Sequence, residues 1–285
     1  MLRSAEKRSI FTYKEGQLSV KTIGIDAGGS LIKVAFEEQG CFHFKKYPIS
    51  KVDEIAEWLA LIVQNRSVRL TGGKAEYLRK NYFPNEKVVP EFDAACEGAV
   101  FLMKKTRMNV PKKLLLVNIG TGTSWYIIEG SHHKRVLGSG IGGGTFLGLG
   151  SLLAGKDDYS QLVSLAKEGE RANIDLLVKD LYYPEVPPIE GELTASNFAK
   201  VKQTKPSAAD TIAALINMMS ETIILLSKQT AEIHQVTDIL FIGSTLIENP
   251  LLQEGLRSFA MLVGLNPMFL LNGEYSGAVG ALILS

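Results

Sequence analysis

The order of apolar and polar residues predicts two similar units along the chain. The runs KTIGID, LIKVAFE and CFHFKKY are rich in β-branched and aromatic residues, which predicts three strands separated by tight turns. In the next segment, VDEIAEWLALIV, apolar residues recur at helical spacing, so an amphipathic helix is expected there with one face on the sheet. A short strand at Val68 to Leu70 and a helix from about Glu91 complete this unit.

The second half of the chain repeats this order. LLLVNIG, SWYIIEG and KRVLGSG predict three further strands, and helices follow them. Asp238 to Ile242 predicts a buried strand, and Ser276 to Leu284 predicts a small apolar helix at the end. Two strand-turn-strand-strand-helix units in one chain indicate an internal duplication.

One predicted helix, from about Ala208 to His234, is longer than the others. Its apolar positions form nearly a heptad seam, which suits a core helix, a dimer contact, or both on opposite faces: Ile212, Ile216, Met219, Ile223, Leu226 and Ile233.

The predicted elements divide the chain into three parts. Residues 1–20 are interpreted as an N-terminal extension, 21–108 as an N-terminal lobe and 109–285 as a C-terminal lobe. The break at Asn109-Val110-Pro111 marks the boundary. The last helix is expected to pack back toward the first lobe.

Composition and charge exclude several classes of protein. Lys and Arg number 31 and Asp and Glu number 30, so the formal net charge of +1 gives no global field for nucleic acid or an anionic membrane. The two cysteines, Cys41 and Cys96, fit no metal spacing, which favours reduced cytoplasm. We also expect no membrane span and no signal peptide.

Three glycine-rich turns follow predicted strands, and each lets backbone N–H groups approach a phosphate closely. The first is Asp26-Ala27-Gly28-Gly29-Ser30, followed by Lys33 on the next strand. Asp26 would hold Mg²⁺ through water, or else cap its own backbone in an ordinary hairpin turn.

The second and third turns lie in the second half. Gly120-Thr121-Gly122-Thr123-Ser124 could grip the phosphate chain or be an ordinary β-turn. The run Gly138 to Thr145 leads into FLGLGSLL, so its glycines lie at a predicted helix N-terminus, where free N–H groups attract anions. A flexible linker is the alternative for this third turn.

GIDAGGSLIK, NIGTGTS and LFIGST resemble, in order and spacing, the two phosphate motifs and the adenosine motif of the actin, Hsp70 and sugar-kinase superfamily. PEFDAACEG, the KRV before the triple-glycine turn, PPIEGELTASNF and NGEYSGAVGAL resemble type II pantothenate kinases over residues 21–285. The resemblance implies a two-lobed α/β fold, actin-like and ribonuclease H-like, duplicated, with mixed sheets flanked by helices.

The resemblance also implies roles for individual residues. Glu91 would be the catalytic acidic residue that orients or deprotonates the substrate hydroxyl, and a Glu placed at a helix start by the helix dipole is an equal alternative. Arg135 would contact the substrate, or else be an ordinary exposed Arg of a hairpin. Thr194 would reach the substrate pocket of the partner subunit. The implied nucleotide contacts are Asp26, Ala27, Gly28, Gly29, Ser30, Leu31, Ile32, Lys33, Thr121, Gly143, Gly144, Thr145, Phe146, Leu147, Tyr159 and Ser244.

The function implied by the resemblance is ATP- and Mg²⁺-dependent phosphorylation of pantothenate by a cytoplasmic homodimer. The three turns would converge on one triphosphate, and Glu91 would face it. A sugar or N-acetylhexosamine kinase is the nearest alternative, and an actin-like or Hsp70-like nucleotide switch is an alternative of another class.

Overall fold

The computed structural model describes residues 22–63 and 67–284, so the predicted N-terminal extension lies outside the described residues. The strands are β1 (Thr22–Ala27), β2 (Leu31–Glu38), β3 (Cys41–Pro48), β4 (Ser67–Thr71), β5 (Lys87–Val88), β6 (Lys113–Ile119), β7 (Thr123–Glu129), β8 (His132–Ser139), β9 (Leu176–Leu177), β10 (Thr194–Ser196), β11 (Asp238–Ile242) and β12 (Asn266–Phe269). The helices are α1 (Val52–Ile62), α2 (Ala75–Asn81), α3 (Glu91–Lys105), α4 (Gly143–Ala154), α5 (Tyr159–Ala166), α6 (Val178–Tyr182), α7 (Val201–Thr204), α8 (Ala208–His234), α9 (Pro250–Leu262) and α10 (Ser276–Ile283).

The chain forms two compact units with the same sheet topology. The first unit contains the described residues up to Gly98 together with those from Tyr275 onward, and the second contains Ala99–Glu274. The first sheet has the order β3-β2-β1-β4-β5, and the second has the equivalent order β8-β7-β6-β11-β12. In each sheet the first three strands in chain order are antiparallel and the last two run parallel to the first. The duplication expected from the sequence is therefore confirmed.

The core of the first unit lies between its sheet and helices α1 and α2. Ile23 and Ile25 of β1 and Ile32 and Val34 of β2 are buried on this face, because every second side chain of a strand points to the same side of the sheet. The helices cover this face with apolar side chains spaced by three or four residues, as α1 does through Ala56 and Leu59. The main core residues are Ile23, Ile25, Ile32, Val34, Leu59, Val68, Leu70 and Leu78.

Helix α8 is the central helix of the second unit. Among the described residues it is the one helix long and apolar enough to cross a membrane, but 61% of its most apolar window is buried within the protein. Trp125 Nε1 donates to Ser227 Oγ over 2.7 Å inside this core, which satisfies both buried polar groups. The core role expected for α8 is thus confirmed, whereas Ile233 of the predicted seam is 76% exposed.

Two predictions of chain organisation differ from the structure. The boundary between the lobes was expected after residue 108. The structure divides ten residues earlier, between Gly98 and Ala99, inside helix α3. The first half of α3 belongs to the first unit because it packs closely on α10: a Cβ on Gly98 would lie 1.9 Å from Ser276 O. Helix α2 and strand β5 were not predicted, since seven residues and two residues give too little periodicity.

Candidate functional site

In the first unit, three parallel strands end at the same edge of the sheet, and each carries predicted site residues or their supports. Asp26 lies near the end of β1, directly opposite Thr71 at the end of β4. After β5, Val89 N–H donates to Leu70 O over 2.8 Å, and Thr71 Oγ1 donates to Val89 O over 2.9 Å. These bonds fix the segment that leads into α3. The carboxyl edge of parallel strands is where open α/β sheets bind ligands.

Asp26 is held in a defined environment at this edge. Its side chain is 13% exposed, and Lys33 Nζ lies 3.4 Å from its Oδ2. Lys33 is the register partner of Asp26 on β2, so both side chains point to the same face of the sheet. The structure therefore brings together the predicted metal residue and the predicted phosphate-side lysine.

Glu91 is the first residue of α3 and is exposed. It follows the short strand β5, which is parallel to β4, so it lies at the same carboxyl edge as Asp26. The first unit therefore contains both predicted carboxylates at one edge of its sheet, and an exposed carboxylate at a helix start can accept a proton from a substrate hydroxyl.

The other residues of the first motif fall into two groups. Gly28 N–H donates to Leu31 O over 3.0 Å, which closes the turn, and Gly29 and Ser30 are exposed at its tip. The side chains of Ala27 and Ile32 are buried in the core, so only their backbone atoms remain for the predicted ligand contacts.

In the second unit, the second and third turns are joined through one corner. Gly120 O accepts a hydrogen bond from Gly143 N–H over 2.8 Å and another from Thr245 Oγ1 over 2.8 Å. Thr123 Oγ1 donates to Ile141 O over 2.6 Å. The second and third glycine turns and the segment predicted as the adenosine motif therefore meet at one place in this unit, at the carboxyl ends of the parallel strands β6 and β11.

The start of α4 differs in detail from the sequence expectation. Gly143 N–H and Gly144 N–H, which were expected to face an anion, donate to Gly120 O and Thr121 O over 2.8 and 2.9 Å. Their partners are the carbonyls of the second turn, so these two amides fasten the turns together. The residue before them must be a glycine, because a Cβ on Gly142 would lie 2.7 Å from Thr121 O.

Tyr159 supports the adenosine motif from below. Its hydroxyl donates to Thr245 O and accepts a hydrogen bond from Asn249 Nδ2 over 3.1 Å. Burial raises the pKa of Tyr159 from 10.0 to about 12, so the hydroxyl remains a donor at neutral pH. Ser244, a predicted nucleotide contact, begins the short 3₁₀ turn Ser244–Leu246 above this support.

Two predicted contacts on α4 have side chains directed into the protein. Phe146 is buried and its ring meets the Tyr159 ring edge-on, with the centroids 5.3 Å apart. Leu147 packs partly buried against the same core. Thr145 Oγ1 donates to Gly140 O over 2.7 Å and so stabilises the turn. Contact of Phe146 with a ligand is therefore restricted to its backbone.

Arg135 lies beside the second turn. Its Nε is 3.3 Å from Ser124 Oγ, and a bulge in the pairing of β7 with β8 follows Arg135. A Cβ on Gly138 would lie 1.9 Å from the Arg135 guanidinium, so the glycine provides the space that this group occupies. Arg135 is exposed beside the second glycine turn, and a guanidinium there suits an anionic ligand.

Thr194 belongs to a different part of the second unit. Its hydroxyl accepts hydrogen bonds from Arg171 Nη1 and Asn217 Nδ2, each over 3.1 Å. Both partners line a cavity of about 510 Å³, which has no lining residue in the glycine turns. Asp175 is fully buried behind this group, and burial raises the pKa of its carboxyl. Thr194 is therefore not brought together with the phosphate turns of its own chain.

The residues present suit a magnesium ion that is carried mainly by a nucleotide. Among the described residues, no group of three or more His, Cys, Asp or Glu side chains forms a metal cluster. Magnesium in phosphoryl-transfer sites keeps several waters and takes one or two carboxylates together with substrate phosphates. The single carboxylate of Asp26 beside a glycine turn fits that pattern.

Sequence reasoning missed several residues that build the site. Thr245, rather than its neighbour Ser244, fixes the adenosine motif to Gly120, and Asn249 supports Tyr159. Gly72 and Gly277 lie against the Asp26 carboxylate. Gly72 follows the end of β4 in the run Thr71-Gly72-Gly73, but its contact with Asp26 joins positions too remote in sequence to be predicted.

Solved structures of other proteins share the fold. The activator of the 2-hydroxyisocaproyl-CoA dehydratase from Clostridium difficile, with bound ADPNP, superposes with a TM-score of 0.59 at 14% identity, covering 92% of each chain. A ROK family glucokinase from Streptomyces griseus, in complex with glucose and AMPPNP, gives a TM-score of 0.53 at 16% identity and covers 93% of this chain and 98% of its own. The fold is that of the actin-like ATPases and ROK sugar kinases.

Comparison of sequences identifies the family. The Fumble family matches residues 37–284. A type II pantothenate kinase of Oceanobacillus iheyensis is 42% identical over 93% of this chain and 100% of its own length. That of Staphylococcus haemolyticus is 36% identical over 92% of this chain and 99% of its own. The chain belongs to the type II pantothenate kinase family.

The support that Tyr159 gives to Thr245 can be tested by removing one oxygen atom. We expect Tyr159→Phe to lower the free energy of unfolding by about 1 kcal/mol at pH 7, because Thr245 O loses its buried donor. Since the folded-state pKa is raised to about 12, this difference should be constant below pH 10 and should shrink as the pH rises from 10 to 12.

Urea unfolding at several pH values measures this difference. Tyr183→Phe is the matched control because Tyr183 is 85% exposed. Equal unfolding free energies for Tyr159→Phe and the control at pH 7 would contradict the supporting role.

Proposed function

We propose that this chain transfers the γ-phosphoryl group of ATP to the primary hydroxyl of pantothenate, forming 4′-phosphopantothenate for coenzyme A synthesis. Family membership over 93% of the chain supports the activity and the acceptor. The junction of both glycine turns with Thr245 at Gly120 O supports nucleotide binding by the second unit.

The second unit is proposed to hold the nucleotide. Its turns present glycines at the carboxyl ends of β6 and β11, where phosphates can approach the backbone closely. Arg135 next to Ser124 is proposed to contact the anionic substrate, either its carboxylate or the phosphoryl group in transfer. Phosphoryl transfer has a loose transition state, so positioning and charge neutralisation supply most of the catalysis.

The first unit is proposed to supply the groups that act on the hydroxyl and the metal. Glu91 would accept the proton of the pantothenate hydroxyl as its oxygen bonds to the γ-phosphorus and ADP leaves. Asp26 would hold Mg²⁺ through water, and Lys33 at 3.4 Å from it would add a second positive charge. Bound Mg²⁺ supplies neutralisation of phosphate charge.

The assembly is proposed to be a cytoplasmic homodimer. Both cysteines are free thiols, as a reducing compartment requires. Leu225 and Ile233 on α8 and Met261 on α9 are exposed apolar side chains that a second copy would cover. Thr194 is proposed to contact substrate held by the partner. Its oxygen already accepts two hydrogen bonds, which leaves its proton as a donor.

An assay of ADP release with ATP and Mg²⁺ tests the proposed activity. We expect pantothenate to raise the rate at least about tenfold above the rate without acceptor, because a kinase needs its acceptor hydroxyl. Glucose and N-acetylglucosamine should give the rate without acceptor. Stimulation by a sugar alone would point to a sugar kinase, and slow hydrolysis indifferent to every acceptor would point to a nucleotide switch.

The proposed base can be tested with Glu91→Gln, which keeps the size of the side chain and removes its basicity. We expect kcat to fall about a hundredfold or more while the Kd for ATP is unchanged. Glu57→Gln, at an exposed position of α1, is the control and should keep full activity. Normal turnover by Glu91→Gln would show that Glu91 only starts the helix.

A further inference from the structure

The carboxylate of Asp26 is enclosed by two glycines from distant parts of the chain. An ideal Cβ on Gly72 would lie 2.6 Å from Asp26 Oδ1, and one on Gly277 would lie 2.7 Å from Asp26 Oδ2. Real Cβ atoms do not approach so closely, so a side chain on either glycine would have to displace the carboxylate oxygen beside it. Lys33 Nζ is a further neighbour of Oδ2, at 3.4 Å.

The two glycines differ in what else they do. Gly72 has φ +90°, which L side chains rarely adopt, and its Cβ would also meet Ala27 O at 2.6 Å. The turn that follows β4 therefore needs this glycine whatever the state of Asp26. Substitution at Gly72 would strain the backbone and could not isolate an effect on the carboxylate.

Gly277 lies in the first turn of α10, and the three atoms nearest to its ideal Cβ all belong to the side chain of Asp26. At two other glycines that contact α10 or belong to it, an added Cβ would meet backbone atoms instead. A Cβ on Gly280 would be 1.8 Å from Ala94 O, and one on Gly24 would be 1.9 Å from Ala278 O. Gly280 and Gly24 are thus required for close packing of backbones, whereas a methyl at Gly277 conflicts with a side chain that can rotate.

We propose that Gly277, together with Gly72, is a positioning residue that fixes the orientation of the Asp26 carboxylate for metal-nucleotide binding. The inference rests on the proposed function, in which Asp26 holds Mg²⁺. Magnesium demands near-ideal octahedral geometry, so a carboxylate that has rotated away can no longer accept hydrogen bonds from the metal's waters in the same positions. Because neither glycine has a Cβ, the carboxylate keeps this orientation beside Lys33 and is preorganised.

The variant Gly277→Ala separates this role from a role in folding. Because Ala is a better helix former than Gly and the obstructing group can rotate, the melting temperature should be no lower than that of the wild type. We expect kcat at fixed Mg²⁺ to fall between about tenfold and a hundredfold, and the KM for pantothenate to change little.

A binding measurement provides a readout that does not depend on turnover. ATP is titrated calorimetrically into the full chain, with Mg²⁺ and then with EDTA. We expect Gly277→Ala to lose most of the gain in ATP affinity that Mg²⁺ gives the wild type, and to bind ATP in EDTA as the wild type does. In the background of Asp26→Ala, the further change Gly277→Ala should have no effect, since the carboxylate that it displaces is gone.

Two control variants bracket the result. Gly73→Ala has open space around its Cβ and should resemble the wild type in every measurement. Gly280→Ala should lower the melting temperature because its Cβ meets backbone. The proposal would be overturned if Gly277→Ala kept the full Mg²⁺-dependent gain in ATP affinity. It would also be overturned if Gly277→Ala lost as much ATP affinity with EDTA as with Mg²⁺, or lost as much in the Asp26→Ala background as in the wild type.

The binding measurement also distinguishes this inference from the proposed acceptor. If the wild type fails to phosphorylate pantothenate but Gly277→Ala selectively loses the Mg²⁺-dependent gain, the acceptor is wrong and the positioning role stands. If the wild type gains no ATP affinity from Mg²⁺, the positioning role is wrong even if pantothenate is phosphorylated.

Discussion

The carbonyl oxygen of Gly120 is the acceptor on which the second unit's site depends. It takes one hydrogen bond from Gly143 N–H at the start of α4 and one from Thr245 Oγ1 after β11, both over 2.8 Å. Those donors are separated by about a hundred residues in sequence, yet both donate to the same carbonyl oxygen. An unpaired buried carbonyl or hydroxyl costs free energy, so the three segments stabilise one another's positions. Tyr159 then holds Thr245 from the other side.

In the first unit the site residue is held in position by packing instead of by shared hydrogen bonds. By strand register Asp26 corresponds to Asn118, two residues before Gly120, in a sheet with the same order. Its charge is balanced by Lys33, and the missing Cβ atoms of Gly72 and Gly277 leave the space that its carboxylate occupies. In both units the site is built at the carboxyl edge of parallel strands. The duplicated fold therefore provides two such edges. One carries the carboxylate of Asp26, and the other carries the backbone carbonyl of Gly120.

Much of this fold could be predicted from the sequence because its signals are local. Strand alternation, the helical spacing of α1 and α8, and the glycine turns all depend on neighbouring residues, and the structure has these elements where they were expected. The boundary inside α3 could not be found in the same way. It depends on the contact of Gly98 with Ser276, which are 178 residues apart. The same reason explains why Thr245 and Gly277 were missed: their partners, Gly120 and Asp26, are remote in sequence.

The central claim is that the hydrogen bond from Thr245 to Gly120 holds the nucleotide turns in a binding geometry. The most direct measurement is the Kd for ATP of Thr245→Val, which keeps the shape of the side chain and removes the donor, at a temperature where the variant is folded. The account predicts a Kd raised about fivefold, the equivalent of one hydrogen bond of about 1 kcal/mol, and restored by Thr245→Ser. A Kd for Thr245→Val equal to that of the wild type would contradict it.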